Sequence, residues 1–138
     1  MADSFLLQIV TPLRILLEEQ ALEVTGPGHL GEFGVMPGHA RYPVILKPGV
    51  LRYRTSEGWN NVAVNGGFAE VSPEKMAVLA ENAEFGSEVD LQKAIAAREE
   101  AHAAMKDISM NDDAFGKLEV ALLWAAARIS AHPDGAGK

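Results

Sequence analysis

Two histidines and a glutamate in one glycine-rich segment have side chains that could bind a metal ion or transfer a proton. They are His29, Glu32 and His39, and imidazole and carboxylate groups are common ligands of zinc. Their spacing matches no standard ligand motif, and residues of an exposed turn explain them as well. We therefore predict no metal site. A metal hydrolase remains the enzyme alternative, and it would carry stoichiometric metal.

The same segment matches the pattern G-x-G-x-x-G at Gly26, Gly28 and Gly31. In a dinucleotide-binding protein a helix begins at these glycines, so that its first amide groups face the pyrophosphate. Residues 32–38 contain two further glycines and a proline, which cannot form the first turns of a helix. The pattern instead predicts a turn at 26–28 that ends an extended segment over Arg14–Thr25.

Other catalytic patterns are missing from the sequence. There is no P-loop and no G-x-S-x-G nucleophile elbow, and the lack of cysteine excludes disulfides, thiolate nucleophiles and iron–sulfur clusters. The 138 residues carry a net charge of −7, so clustered cations that bind nucleic acid or anionic lipid are not expected. These features predict a protein with no active site of its own and no nucleic-acid partner.

Hydropathy and the first residues bear on location. No segment approaches the ~20 apolar residues of a membrane-spanning helix, and the start lacks the basic and apolar regions of a signal peptide. We expect an acidic, soluble, intracellular protein that reaches a membrane only through another protein.

Short β-rich runs separated by Gly, Pro and Asn fill the chain up to Gly86. Asn65-Gly66-Gly67 favours a hairpin, because type I′ turns need positive φ. Strands this short with turns this frequent indicate an antiparallel sandwich or barrel over residues 1–86. The predicted strands are Phe5–Val10, Val50–Thr55, Trp59–Val64, Phe68–Val71 and Met76–Ala80.

The hydrophobic period becomes helical after Gly86, which predicts two helices over residues 87–138. Ser87–Asp90 fits a capping box that opens the first helix near Val89, and a polar break at Ser109–Asp113 precedes the second. Apolar residues of the second helix are spaced alternately three and four apart, which predicts a seam that packs against one partner helix. The residues of this seam are Phe115, Leu118, Leu122, Ala125 and Ile129.

Helices of this length are marginal alone in water, so the helical pair must pack on a further surface. Many of its residues are alanines, which make a flat and shallow contact. The packing is either a weakly held switch or a permanent structural contact, and the sequence favours neither.

The segment Gly31–Ala40 resembles the G-E-x-G-[VI]-x-P-G-H-A signature of the epsilon subunits of F-type ATP synthases. Flanking pieces of that family's sequence follow in the same order, and the resemblance extends from about Leu6 to Arg128. Each piece is weakly specific alone, but all of them in order are highly specific. The pieces are Ile9–Pro12, Pro48–Leu51, Gly66–Val71, Val78–Ala80, Ala83-Glu84 and Val89-Asp90.

The resemblance implies an all-β N-terminal domain, a ten-stranded antiparallel β-sandwich over 1–86, followed by a regulatory antiparallel α-helical hairpin over 87–138. It implies a non-catalytic rotor subunit that binds the gamma subunit, the c-ring and the alpha/beta hexamer, peripheral on the cytoplasmic side of a bacterial cell membrane. Such a subunit couples ion translocation to ATP synthesis, and its hairpin can inhibit ATP hydrolysis. The residues expected to contact the c-ring or gamma are Glu32, Phe33, Val35, Met36, His39 and Arg41.

One departure from the family pattern lies beside these residues. After His39-Ala40 the family continues with proline and then leucines, whereas this chain has Arg41-Tyr42-Pro43. The change adds a positive charge next to the expected rotor contact. Many members of the family inhibit ATP hydrolysis through basic residues of the second helix. Only Lys117 and Arg128 are available there, so mild inhibition is expected.

Some bacterial relatives bind ATP between the two helices, through an [IL]-D-x-x-R-A motif and arginines on the second helix. Here the motif reads Val89–Ala94 with Lys93 in the arginine position, and Trp124 stands where another basic residue is expected. Lysine is a point charge rather than a planar fork, so the exchange is not neutral for phosphate binding. We expect weak or no nucleotide binding and no required cofactor. The residues of such a site would be Glu84, Asp90, Lys93 and Arg128.

A free-standing binding module is the alternative from another functional class. It would have the same sandwich and helices but would dock an unrelated partner. Co-purification separates the two hypotheses, because a rotor subunit brings down gamma and the alpha/beta hexamer and an unrelated adaptor does not.

Overall fold

The computed structural model describes residues 3–135, which form ten β-strands followed by two α-helices. The strands are β1 (Phe5–Val10), β2 (Ile15–Ala21), β3 (Glu23–Gly28), β4 (Gly31–Val35), β5 (Tyr42–Leu46), β6 (Gly49–Thr55), β7 (Gly58–Val64), β8 (Gly67–Ser72), β9 (Lys75–Leu79) and β10 (Ala83–Phe85). A short 3₁₀ turn over Gly86–Glu88 leads to α1 (Leu91–Lys106) and α2 (Asp113–Ala131). The predicted order, strands first and then a pair of helices, is confirmed.

The strands form two layers that are joined at one place. β2, β1, β9, β8 and β5 make one five-stranded layer, here called the front sheet, and β4, β3, β6, β7 and β10 make the other, the helix-bearing sheet. The layers join where Gly28 of β3 pairs with Leu46 of β5. Within residues 3–135 every ladder is antiparallel except that between β1 and β9, which is parallel. The β-sandwich is confirmed, with one parallel pair that the sequence did not indicate.

The core lies between the layers and follows the period of two along each strand. Where β2 meets β6, the hydroxyl of Tyr53 lies near the carboxylate of Glu19. Burial, and then the charge of Glu19, raises the pKa of Tyr53 to about 12. Each large apolar side chain buried in such a core contributes about 1.5–3 kcal/mol. The largest fully buried ones are Phe5, Leu7, Ile9, Val24, Val35, Leu51, Val62, Val64, Val71, Met76 and Val78.

The turn predicted at 26–28 is wrong, because these residues are the last three of β3 and pair with β4. A Cβ on Gly26 would lie 2.7 Å from Cζ of Phe33, and one on Gly28 would lie 2.5 Å from the carbonyl oxygen of Gly31. The glycines are therefore required by the close approach of the Phe33 ring and the β4 backbone. The chain turns one step later, at His29-Leu30.

The hairpin predicted at Asn65-Gly66-Gly67 is also wrong. Gly66 and Gly67 do have positive φ, 73° and 112°, but the strands on either side do not pair. β7 pairs with β6 and β10, while β8 pairs with β5 and β9. The segment therefore carries the chain from the helix-bearing sheet to the front sheet.

The first helix begins later than predicted. Asp90 is its N-cap, with a side-chain oxygen that accepts from the backbone N–H of Lys93 at 3.1 Å, and the Ser87–Asp90 capping box is not formed. Glu88 instead accepts from the backbone N–H of Phe85 at 3.2 Å and pairs with Arg14 at 3.4 Å. Glu88 thus fixes the linker to the sandwich, while Asp90 alone caps the helix.

The second helix lies between the helix-bearing sheet and α1. It packs on β6 and β7 on one side and on α1 on the other. Ala125 and Ile129 of the predicted seam are buried, and Ile129 packs with Val89 and Ala94 in a small second cluster. Ala63 is buried under this helix, since its neighbours Val62 and Val64 face the core.

No helix within residues 3–135 is both long enough and apolar enough to cross a bilayer.

Candidate functional site

The segment that carries the sequence signature forms β4 and the loop to β5. Along β4, Glu32 is exposed, Phe33 is half-buried over the glycines of β3, and Val35 is buried in the core. Met36 follows with 52% of its surface exposed, and Arg41 at the end of the loop is exposed. Of the residues predicted to contact a partner, Glu32, Met36 and Arg41 are therefore accessible, whereas Val35 is a core residue.

The ring of His39 packs inward instead of projecting from the loop. Its edge meets Phe5, with ring centroids 5.4 Å apart at 83°, and Tyr42, with centroids 6.4 Å apart at 74°. Nδ1 donates to the carbonyl of Ala40 at 3.2 Å, and the buried Nε2 has no hydrogen-bond partner among residues 3–135. His39 therefore fixes the loop to the sandwich, and any part it takes in partner binding is indirect.

The loop is held a second time by its backbone. The N–H of Gly38, which has φ +79°, donates to the carbonyl of Pro73 at 3.1 Å. Pro73 lies in the turn between β8 and β9, so the loop and this turn are joined at the same end of the front sheet. A loop held at Gly38 and His39 presents its exposed side chains at defined positions.

Two of the four residues predicted for a nucleotide site are paired with each other. Arg128 of α2 forms an ion pair with Glu84 of β10, and both side chains are 21% exposed. The Arg128 guanidinium also lies 5.8 Å from the ring of Trp124. Asp90 caps α1, and Lys93 is exposed. A phosphate group that approached Arg128 would compete with the carboxylate of Glu84 for its guanidinium.

The residues considered for a metal site are separated by the fold. His29 is exposed in the β3–β4 turn, while His39 is packed against Phe5 and Tyr42. Within the part of the chain that the structure describes, no group of three or more His, Asp or Glu side chains is arranged to hold a metal ion.

A row of apolar side chains crosses the outward face of the front sheet, and sequence reasoning missed it. Strand register places its members side by side, one on each of the five strands. Four of them are exposed, from 43% for Phe68 to 67% for Ile45, and Val10 is half-buried. The sequence feature that could have revealed this row is the loss of alternation in Val44-Ile45-Leu46, where both faces of the strand are apolar. This apolar row consists of Ile45, Phe68, Leu79, Val10 and Ile15.

The two outward faces of the sandwich differ in how much of each is covered by the rest of the chain. On the helix-bearing sheet, α2 covers part of β6 and β7. On the front sheet, nothing in residues 3–135 covers the apolar row. Large exposed apolar patches mark sites where another protein binds, so the front sheet is the candidate docking face of the molecule.

Comparison with known proteins agrees with this architecture. The family model of the ATP synthase delta/epsilon chain β-sandwich domain matches residues 4–86. The ATP synthase epsilon chain of Geotalea uraniireducens is 41% identical over 138 residues, which is the whole of both chains. That of Microcystis aeruginosa is 38% identical over 132 residues, 96% of each chain.

Solved structures give the same result. A chain in the cryo-EM structure of the Euglena gracilis mitochondrial ATP synthase, OSCP/F1/c-ring, superposes with a TM-score of 0.80 at 26% identity, over 95% of this chain and 82% of that one. A chain of the Tetrahymena thermophila mitochondrial ATP synthase central stalk/c-ring shares the fold, with a TM-score of 0.53 at 14% identity, over 62% of this chain and 69% of that one. The chain thus belongs to the family of ATP synthase epsilon chains, a stalk subunit of the rotary enzyme and not its catalytic subunit.

Proposed function

We propose that this chain docks on the gamma subunit through the apolar row of the front sheet, and so turns with the rotor that couples ion translocation to ATP synthesis. The observation that carries the proposal is the row itself. Five apolar side chains lie across five strands on a face that no other described part of the chain covers. Strands are ~4.8 Å apart, so the row is roughly 19 Å long. That length suits the apolar centre of a protein–protein interface.

The loop between β4 and β5 is proposed to contact the c-ring. Glu32 and Met36 are exposed on a segment that the Gly38–Pro73 hydrogen bond and the His39 ring hold in place. A loop that is already fixed loses little conformational entropy when it binds. Such a loop also transmits torque, whereas a flexible hinge would bend. Contact with the c-ring would keep the chain peripheral on the cytoplasmic side of a bacterial membrane.

The helical hairpin, residues 87–138, is proposed to be a regulatory unit, and residues 1–86 the unit needed for assembly. Its contact with the sandwich uses small side chains, Ala127 and Ala131 among them, and the Glu84–Arg128 pair. With a contact this small, the free energies of the docked and undocked states differ by only a few kilocalories per mole. We propose that the undocked hairpin restrains ATP hydrolysis by the alpha/beta hexamer.

The docking proposal is tested by affinity for purified gamma subunit. Ile45→Asp places a charge on the apolar row at a position that is 67% exposed, so the fold is retained and binding is expected to weaken by about tenfold or more. Met110→Asp is the matched control, since Met110 is 79% exposed in the loop between the helices. Equal affinity of the Ile45 variant and the wild type would remove the front sheet as the docking face.

A further inference from the structure

A groove of about 440 Å³ lies on the front sheet, directly beside the apolar row. Its charged side chains are Arg41, Glu70 and Lys75. Among residues 3–135 neither Arg41 nor Lys75 has an ion-pair partner, although the whole chain carries a net charge of −7. The groove therefore has an excess of positive charge on an acidic protein.

The two cations are held near one another by the loop contacts already described. Arg41 lies between His39, whose ring is packed on Phe5, and Tyr42, the first residue of β5. Lys75 is the first residue of β9, directly after the turn that contains Pro73. The Gly38–Pro73 hydrogen bond of 3.1 Å joins these two segments. The charges consequently sit on backbone that is fixed from both sides.

The groove is continuous with the apolar row. Glu70 lies two residues from Phe68 on β8, which is ~7 Å along the strand, and Lys75 lies four residues from Leu79 on β9, which is ~14 Å. A standard interface buries about 800 Å² on each partner and is about 30 Å across. A protein centred on the apolar row must therefore also cover the groove.

We infer that Arg41 and Lys75 receive a carboxylate-bearing segment of the gamma subunit. This inference rests on the docking proposed for the apolar row and adds the kind of side chain that the partner presents. Covering two cations removes them from water, and Glu70 supplies one negative charge against their two. At least one acidic side chain of the partner must therefore supply the second negative charge. Arg41 thereby gives the unusual Arg41-Tyr42-Pro43 sequence a role in partner specificity.

The double variant Arg41→Glu/Lys75→Glu tests the inference by its affinity for purified gamma at ~50 mM and ~300 mM salt. Binding is expected to weaken by about tenfold or more at low salt, mainly through slower association, and to lose most of its salt dependence. Arg41→Lys keeps the charge and should retain most of the affinity. The matched control is Lys106→Glu/Lys117→Glu, which reverses two exposed cations on the hairpin and should leave affinity within about twofold.

Failure of the inference is distinguishable from failure of the docking proposal. If Ile45→Asp weakens binding while the double variant binds like the wild type, gamma docks on the row without an acidic contact and the inference is wrong. An equal loss in the Lys106/Lys117 variant would show a general effect of net charge and would also overturn it. If Ile45→Asp has no effect, the docking face itself is wrong.

Discussion

The guanidinium of Arg128 on α2 is bound to the carboxylate of Glu84 on β10, and this pair joins the helical hairpin to the sandwich. Strand register aligns Glu84 with Ala63, the residue buried beneath α2. The ring of Trp124, one helical turn before Arg128, lies beside the same guanidinium. Charge, aromatic contact and small-residue packing thus coincide at one point of the hairpin contact.

Replacing Glu84 by glutamine should loosen the docked hairpin. The variant keeps the shape but leaves the mostly buried Arg128 without its counter-charge, which costs about 1.5–3 kcal/mol. Hydrogen exchange of the α2 amides should therefore speed up, while amides of the β8–β9 ladder keep their protection. The control is Glu99→Gln, since Glu99 pairs with Arg98 on α1 and its side chain is 65% exposed. Unchanged protection of α2 in Glu84→Gln would contradict the role of the pair.

The same pair predicts the response to ATP. Because Arg128 is occupied by Glu84 and Asp90 caps α1, a triphosphate must break existing contacts before it gains new ones. Calorimetric titration of the purified chain with magnesium-free ATP should therefore give no binding in the micromolar range. A micromolar Kd for the wild type would show that the ligand readily replaces the carboxylate.

Gly86 should be as important for docking as the ion pair. A Cβ at this position would lie 2.0 Å from the carbonyl oxygen of Ala131 at the end of α2, so Gly86→Ala forces the helix away from the linker. Faster proteolysis within the hairpin is expected, with the sandwich still folded. The control is Gly116→Ala in α2, where a Cβ meets nothing within 4 Å. That change should stabilise the helix by about 0.5–1 kcal/mol, and equal proteolysis of both variants would exclude the proposed contact.

Local signals predicted the strands well and their partners poorly. Alternation located β6, because burial of one sheet face leaves a period of two in the sequence, and an apolar run ended by a proline located β1. At Gly66 and Gly67 the sequence correctly indicated positive φ, but φ is local, whereas the choice of pairing strand is decided by the core. The sequence predicts a turn at Gly26, whereas in the structure the absence of a side chain at Gly26 leaves room for the ring of Phe33.

The candidate site was harder to predict for the same reason. The signature around His39 located the loop, but only the fold shows that the ring turns inward while Arg41 stays exposed. Glu84 and Arg128 are 44 residues apart, and nothing local to either residue indicates the other. The apolar row required the register of four ladders, which no run of consecutive residues contains.

Tyr53 should make stability fall in alkaline solution. Its pKa in the folded chain is about 12, against an ordinary value of 10.0, chiefly because the side chain is buried and then because Glu19 is near. Below pH 10 the hydroxyl keeps its proton in both the folded and unfolded chains, so its full contribution is present. Between pH 10 and 12 the unfolded chain loses that proton first, and the free energy of unfolding decreases as the pH rises.

Tyr53→Phe removes this titrating group, so the variant should lose less stability than the wild type between pH 10 and 12. Urea unfolding at several pH values in that window measures the difference, and it cancels the effect of lysines common to both chains. Tyr42→Phe, which keeps Tyr53 and its neighbour Glu19, should retain the wild-type slope. Parallel pH profiles for Tyr53→Phe and the wild type would mean that the hydroxyl ionises as readily in the folded chain as in the unfolded one.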